Sequence, residues 1–140
     1  MDKKAMGLLK KYFVKRSDIA FTFLFGSSVR NKIRTDGDVD IAVYFAPQKG
    51  IEWEAFGKRY KEENHIALDL EMLFKKDVDL VVLNRASAIV ADEILRKGVP
   101  ILIRDTSIFL DFLCLISDEA EYARTNIIES YRERMVAAIG

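Results

Sequence analysis

One cysteine, one histidine and no uninterrupted apolar run of bilayer-spanning length are the first features of this 140-residue sequence. A lone Cys114 cannot close an internal disulfide, which points to a reducing compartment, and its apolar surroundings predict a small buried hydrophobe. His65 has no cysteine or second histidine at ligand spacing, so it reads as an exposed or capping residue rather than a metal ligand. The longest apolar cluster, residues 107–116, is broken by Asp111 and falls far short of the ~20 residues a membrane helix needs. Residues 1–16 carry basic charge without the apolar core and small-residue cleavage site of a secretory leader. A cytoplasmic location is expected. Twenty-two basic and twenty-two acidic residues cancel, which argues against dedicated nucleic-acid binding, where phosphate neutralisation needs a clustered positive excess. Repeats, linkers and low-complexity tracts are missing too.

Half of the sequence is apolar, enough to bury the core of a single domain over residues 1–140. Met6, Leu9, Lys10 and Phe13 recur at helical spacing over residues 3–14. Residues 19–25 form an almost unbroken run of β-formers that predicts a strand buried on both faces. A short helix over 28–33 and a loop over 34–37 should follow, then a strand over 39–45. Residues 51–75 place Trp53, Phe56, Tyr60, Ile66, Leu70 and Leu73 at spacings that predict helix, in one or two segments broken near Asn64. On that reading the three aromatics are packing residues, and the charged run 58–63 is a solvated helix face. A third strand is expected over 78–83 and a helix over 86–97, which Gly98 would end in a left-handed conformation. A fourth strand at 99–104 leads to a helical region over 106–139 capped by Thr106. The alternation implies an α/β or α+β fold, one mixed or parallel sheet flanked by helices.

The chemistry concentrates at residues 25–40. A strand runs into Gly26 and Ser27, a helix N-terminus follows, and Asp38-Val39-Asp40 opens the next strand. Backbone amides at a helix start attract anions, and glycine lets a phosphate approach the main chain. Side chains alternate along a strand, so Asp38 and Asp40 share one face while Val39, Ile41 and Val43 point to the core. Two neighbouring carboxylates favour a hard cation such as Mg2+, which completes its shell with phosphate oxygens. A third acid would serve a second ion or accept a proton. Asp79, opening the third strand, suits this role, and Asp77 on the same strand face is its rival.

The pattern Gly-Ser, ten residues, Asp-x-Asp resembles the signature of the DNA polymerase β-like nucleotidyltransferase superfamily. More narrowly, the chain is similar to minimal MNT-type members paired with HEPN-domain toxins. VDLVVLNRAS at 78–87 and the Gly98 turn into VPILIRD extend the likeness over about residues 19–105, the expected catalytic core, with 106–139 matched by pattern. The resemblance implies a nucleotidyltransferase fold in which Gly26 and Ser27 bind the triphosphate. It further implies that Asp38, Asp40 and Asp79 ligate two Mg2+ ions and act as the catalytic acids, with Arg30 near phosphate. For Arg30, Lys32 and Arg34, solvated surface is the competing reading. Asn31 stands where a glycine is usual, and Gly37 where a serine often precedes the first aspartate.

An antitoxin enzyme that moves AMP from ATP to a tyrosine hydroxyl of a HEPN toxin is the expectation. Transfer to an aminoglycoside-like small molecule and a non-catalytic antitoxin acting by binding alone are the alternatives, with homodimer and hetero-oligomer both open. A single helix over 107–138 would be about 48 Å long. Its stripe of Ala120, Ala123, Ile127, Tyr131, Met135 and Ala138 could pack on this domain, the favoured arrangement, or on a helical partner.

Overall fold

The computed structural model describes residues 3–26 and 38–139. The elements in chain order are α1 (Lys3–Val14), β1 (Ile19–Phe25), β2 (Val39–Phe45), α2 (Glu63–Phe74), β3 (Val78–Val82), α3 (Ala88–Lys97), β4 (Val99–Ile103) and α4 (Thr106–Ile139). A one-turn 3-10 helix, Leu83–Arg85, follows β3. The helix and loop expected over 28–37 lie outside the described residues.

The strands form one mixed sheet in the order β3-β2-β1-β4. β1 is antiparallel to both β2 and β4, whereas β2 and β3 run parallel. The β-forming run 19–25 is therefore a central strand, and Ile19 to Leu24 are buried. On one face of the sheet, Leu9 and Phe13 of α1 and Ile66 and Leu70 of α2 pack on Ile41 and Val43. On the other, Ala91 and Leu95 of α3 and Phe112 and Ile116 of α4 pack on Phe21, Phe23 and Tyr44. Each helix thus supplies an apolar stripe at intervals of three or four residues, as a covered sheet requires.

Residues 51–62 depart from the expected helix. Glu54 has φ +62°, a left-handed conformation that interrupts a right-handed helix. Two of the aromatics that mimic helical spacing, Trp53 and Tyr60, instead pack individually near one end of the sheet, and the third does not pack. Tyr60 stacks on Phe45 with ring centroids 4.5 Å apart, Trp53 donates from Nε1 to the Ala86 carbonyl at 3.1 Å, and Phe56 is exposed. Nor is the charged run a solvated helix face. Lys58 pairs with Glu52 at 2.9 Å, and the buried Glu63 accepts two bonds from the Arg85 guanidinium at 2.9 and 2.5 Å. Only α2 is helical in this stretch, beginning at Glu63.

Three terminal details also differ. Gly98 is extended, with φ −77° and ψ 171°, so its role is spatial rather than left-handed. A Cβ there would sit 2.5 Å from the Ile94 carbonyl oxygen and 2.8 Å from that of Leu24. Asp105, not Thr106, caps α4, its Oδ1 accepting from the Ile108 amide at 3.0 Å. Cys114 is exposed, because the apolar run 107–116 wraps around the helix and only part of it faces the sheet. His65, as expected, is exposed and bonds Glu62 at 3.1 Å.

α4 contains 34 residues, about 51 Å at the usual rise. Its inner face is buried as far as Ala120, and Arg124 bonds Asp92 of α3 at 2.9 Å. From 125 to 139 every residue is exposed. Packing of the whole stripe on its own domain is thereby overturned: the body is too short to cover it.

Candidate active site

The end of β1 and the beginnings of β2 and β3 meet at one end of the sheet. Phe25 pairs with Asp40 across the antiparallel ladder, bringing Gly26 beside the second aspartate of the Asp-x-Asp pair. Gly26 has φ +66°, and a Cβ built on it would fall 2.4 Å from Asp40 Oδ2 and 3.0 Å from its Cγ. The glycine therefore meets two demands at once, a left-handed backbone and room for a carboxylate against the chain.

Pleating orients the acids. Val39 and Ile41 are buried among the residues of α1 and α2, so Asp38 and Asp40 stand on the opposite face, the one covered farther along by α3 and α4. Asp38 is exposed and Asp40 half-buried. In the parallel ladder Asp40 pairs with Asp79. Residues level with one another on neighbouring strands, about 4.8 Å apart, share a face. Asp40 and Asp79 consequently stand side by side, with Asp79 exposed. Asp77 accepts a bond from the Val39 amide through its carbonyl at 3.0 Å, which sets it level with Asp38 one step farther along the same ladder.

Register thus assembles Gly26, Asp38, Asp40 and Asp79 at one edge, with Asp77 next to them. Ser27 and Arg30 lie outside the described residues. Among the described residues no three Asp, Glu, His or Cys side chains are gathered into a ready metal cage. An all-oxygen carboxylate set matches a hard divalent cation rather than zinc, and Mg2+ commonly binds one or two carboxylates together with substrate phosphates instead of a closed protein cage. The donor set therefore fits a cation that shares its ligands with a nucleotide.

Sequence reasoning missed two supports of the sheet, one beside the site and one at the far end of β2. Gly98 permits the α3–β4 junction to press on the Leu24 carbonyl, two residues ahead of Gly26. A glycine directly before an apolar strand is the available signal, and a helix cap leaves the same mark. At the other end of β2, the fully buried Asn84 accepts from the Phe45 amide and donates to the Phe45 carbonyl, both at 2.9 Å. Nothing in the one-dimensional pattern marks that asparagine.

The family described as polymerase beta, nucleotidyltransferase, matches residues 8–107. A Methanocaldococcus jannaschii protein named "putative protein adenylyltransferase" is 30% identical over 100 residues, covering 71% of this chain and 92% of that one. Among solved structures, a chain of the MntA–HepT toxin–antitoxin crystal structure superposes with a TM-score of 0.61 at 17% identity, over 99% of this chain and 98% of that one. A toxin–antitoxin structure with AMP-PNP gives 0.61 at 18% identity over the same shares. The complex of a tri-AMPylated Shewanella oneidensis HEPN toxin with its MNT antitoxin gives 0.59 at 19% identity, over 96% and 98%. These structures share the fold of almost the whole chain, and no described helix is long and apolar enough to cross a membrane. On the match to more than half of its length, this chain belongs to the polymerase beta nucleotidyltransferase family.

Proposed function

We propose that this chain is a cytoplasmic Mg2+-dependent protein adenylyltransferase, a single domain with its catalytic core over about residues 19–105, that neutralises a HEPN toxin by transferring AMP from ATP to a tyrosine hydroxyl. The observation that carries the reading is the side-by-side register of Asp40 and Asp79 next to the left-handed Gly26. Support for the substrate and acceptor comes from the protein adenylyltransferase name of the archaeal relative and from the AMP-PNP and AMPylated-toxin complexes of its structural neighbours.

In this mechanism Gly26 and Ser27 receive the triphosphate through main-chain amides and a hydroxyl, and Arg30 adds charge beside it. Asp38, Asp40 and Asp79 would hold two Mg2+ ions, whose chemistry when bound is to neutralise charge on the phosphate oxygens. The acceptor oxygen attacks the α-phosphorus in line, the bond to the bridging oxygen of the β-phosphate breaks, and pyrophosphate leaves. Asp79 takes the hydroxyl proton. Positioning of both reactants by a rigid sheet edge supplies much of the rate.

Incubating the purified chain with Mg2+, α-labelled ATP and its HEPN toxin tests the proposal. Label should appear on the toxin, disappear in Asp38→Ala/Asp40→Ala and fall by at least about 100-fold in Asp79→Asn. Label transfer that survives the double substitution would remove these residues from the site.

A further inference from the structure

The part of α4 that leaves the body is not polar all round. Stepping about 100° per residue, Ile127, Tyr131, Met135 and Ala138 fall within about 40° of one line, in register with the buried Ala120. Ile127, Tyr131 and Met135 are about half exposed, so an apolar stripe that is core in the first half of the helix continues uncovered through residues 125–139. These fifteen exposed residues span about 22 Å, four turns. That length matches a helix-in-groove contact with anchors at i, i+4 and i+8.

Charge is sorted around this stripe. Arg134 borders it on one side, with its guanidinium carbon 4.3 Å from the centroid of the Tyr131 ring. By the same helical stepping, Arg132 borders it on the other, beyond the half-exposed Ile128. Glu129 and Glu133 fall on the back, about 160° away. Two copies pairing stripe to stripe would set Arg132 and Arg134 against arginines, an arrangement that like-charge flanks disfavour. An apolar helical surface rimmed by aspartate or glutamate would satisfy both the stripe and its border.

We infer that residues 125–139 of α4 are a docking arm for a different protein, one presenting an apolar helical face with an acidic rim, and that in the toxin-paired reading above, on which this rests, the HEPN toxin carries that face. Superposition with the MntA–HepT structure over 99% of the chain makes the arm part of the shared fold rather than an appendage of this sequence. Arg124 stays bound to Asp92 at the root of the arm, so the stripe is presented from a fixed base.

The experiment uses the full-length chain and its HEPN toxin, with affinity by calorimetry, self-association by sedimentation velocity, and AMP transfer and ATP-analogue binding in parallel. The wild-type chain alone should sediment as a monomer and bind toxin. Ile127→Asp/Met135→Asp should weaken toxin binding at least about 30-fold. Arg132→Glu/Arg134→Glu should weaken it about tenfold or more and remove most of its salt dependence. Both variants alter exposed positions and should keep wild-type helical content and nucleotide affinity. Toxin affinity within twofold of wild type in both variants, with AMP transfer intact, overturns the arm and leaves the enzymatic reading standing. A dimer of the chain alone that Ile127→Asp/Met135→Asp abolishes overturns it in favour of a second copy. A wild-type chain that neither binds nor modifies the toxin overturns both.

Discussion

Gly26→Ala separates what the glycine does for folding from what it does for chemistry. At φ +66° an alanine costs about 1–2 kcal/mol for a left-handed backbone. Its Cβ would also lie 2.4 Å from Asp40 Oδ2, where ordinary contact begins near 3.4 Å. The carboxylate must therefore retreat by about 1 Å, which a flexible side chain does cheaply. For the reaction the same movement is severe, because a ~1 Å misplacement at a reacting centre costs on the order of 100-fold in rate. Gly50 provides a matched control, since it too has φ +66° but a Cβ added there would meet nothing within 4 Å. Both alanine variants should lose about 1–2 kcal/mol by urea denaturation. Only Gly26→Ala should lose about two orders of magnitude in kcat for label transfer to the toxin. If Gly26→Ala retained more than about a third of the wild-type rate, or if Gly50→Ala fell in parallel, the contact with Asp40 would not be what fixes the glycine.

Other substitutions address the scaffold. Asn84→Ala strips both main-chain groups of Phe45 of their partner and should cost about 2–3 kcal/mol, read as a lower urea midpoint at unchanged slope; a loss below about 0.5 kcal/mol would mean water replaces the side chain. Arg85→Met leaves Glu63 buried without its bidentate partner and should cost about 3 kcal/mol, part of which Glu63→Gln in the same chain recovers; equal stability of the single and double variants would contradict this. Burial first, and then donation to the Asp69 carboxylate at 2.7 Å, hold the Tyr12 phenol above its ordinary value. The folded state then keeps a proton that the unfolded chain releases above pH ~10, so stability should fall as pH rises beyond that point. Tyr12→Phe should make this alkaline decline shallower, and tyrosinate absorbance should show one fewer late-titrating group; an unchanged slope would assign the decline elsewhere.

How legible these features are in the sequence depends on how local their causes are. β1 and β2 have the bounds expected of them because a strand buried on both faces must be almost continuously apolar. The Asp40–Asp79 pairing follows from the sequence only if the two strands are neighbours, since strand order is not written in any single segment. Trp53, Phe56 and Tyr60 mislead because helical spacing also arises in an irregular segment, where here Phe56 is exposed and Trp53 and Tyr60 pack separately. Their real partners, Phe45 and the Ala86 carbonyl among them, are distant in sequence. Cys114 misleads differently: an apolar run on a helix has an outside, and Leu110 and Cys114 occupy it while Phe112 and Ile116 face inward. The stripe on α4 is visible throughout, but its periodicity carries no information about where the body beneath it ends.

The chain divides its labour between the sheet and the arm. Gly26, Asp40 and Asp79 are set by strand register, and β1 is held between two strands and two helical layers, so the site's geometry is inherited from the most rigid part of the molecule. The arm at 125–139 touches none of this, and no described salt bridge or side-chain hydrogen bond connects it to the body beyond Arg124. Substitutions on the arm should therefore change which protein is brought to the sheet edge without changing what happens there, and substitutions at Gly26 or the aspartates should do the reverse. Because sites without shared partners behave additively, a chain altered at both should show the product of the two separate losses in kcat/KM. A markedly smaller loss would mean that docking and chemistry share a contact.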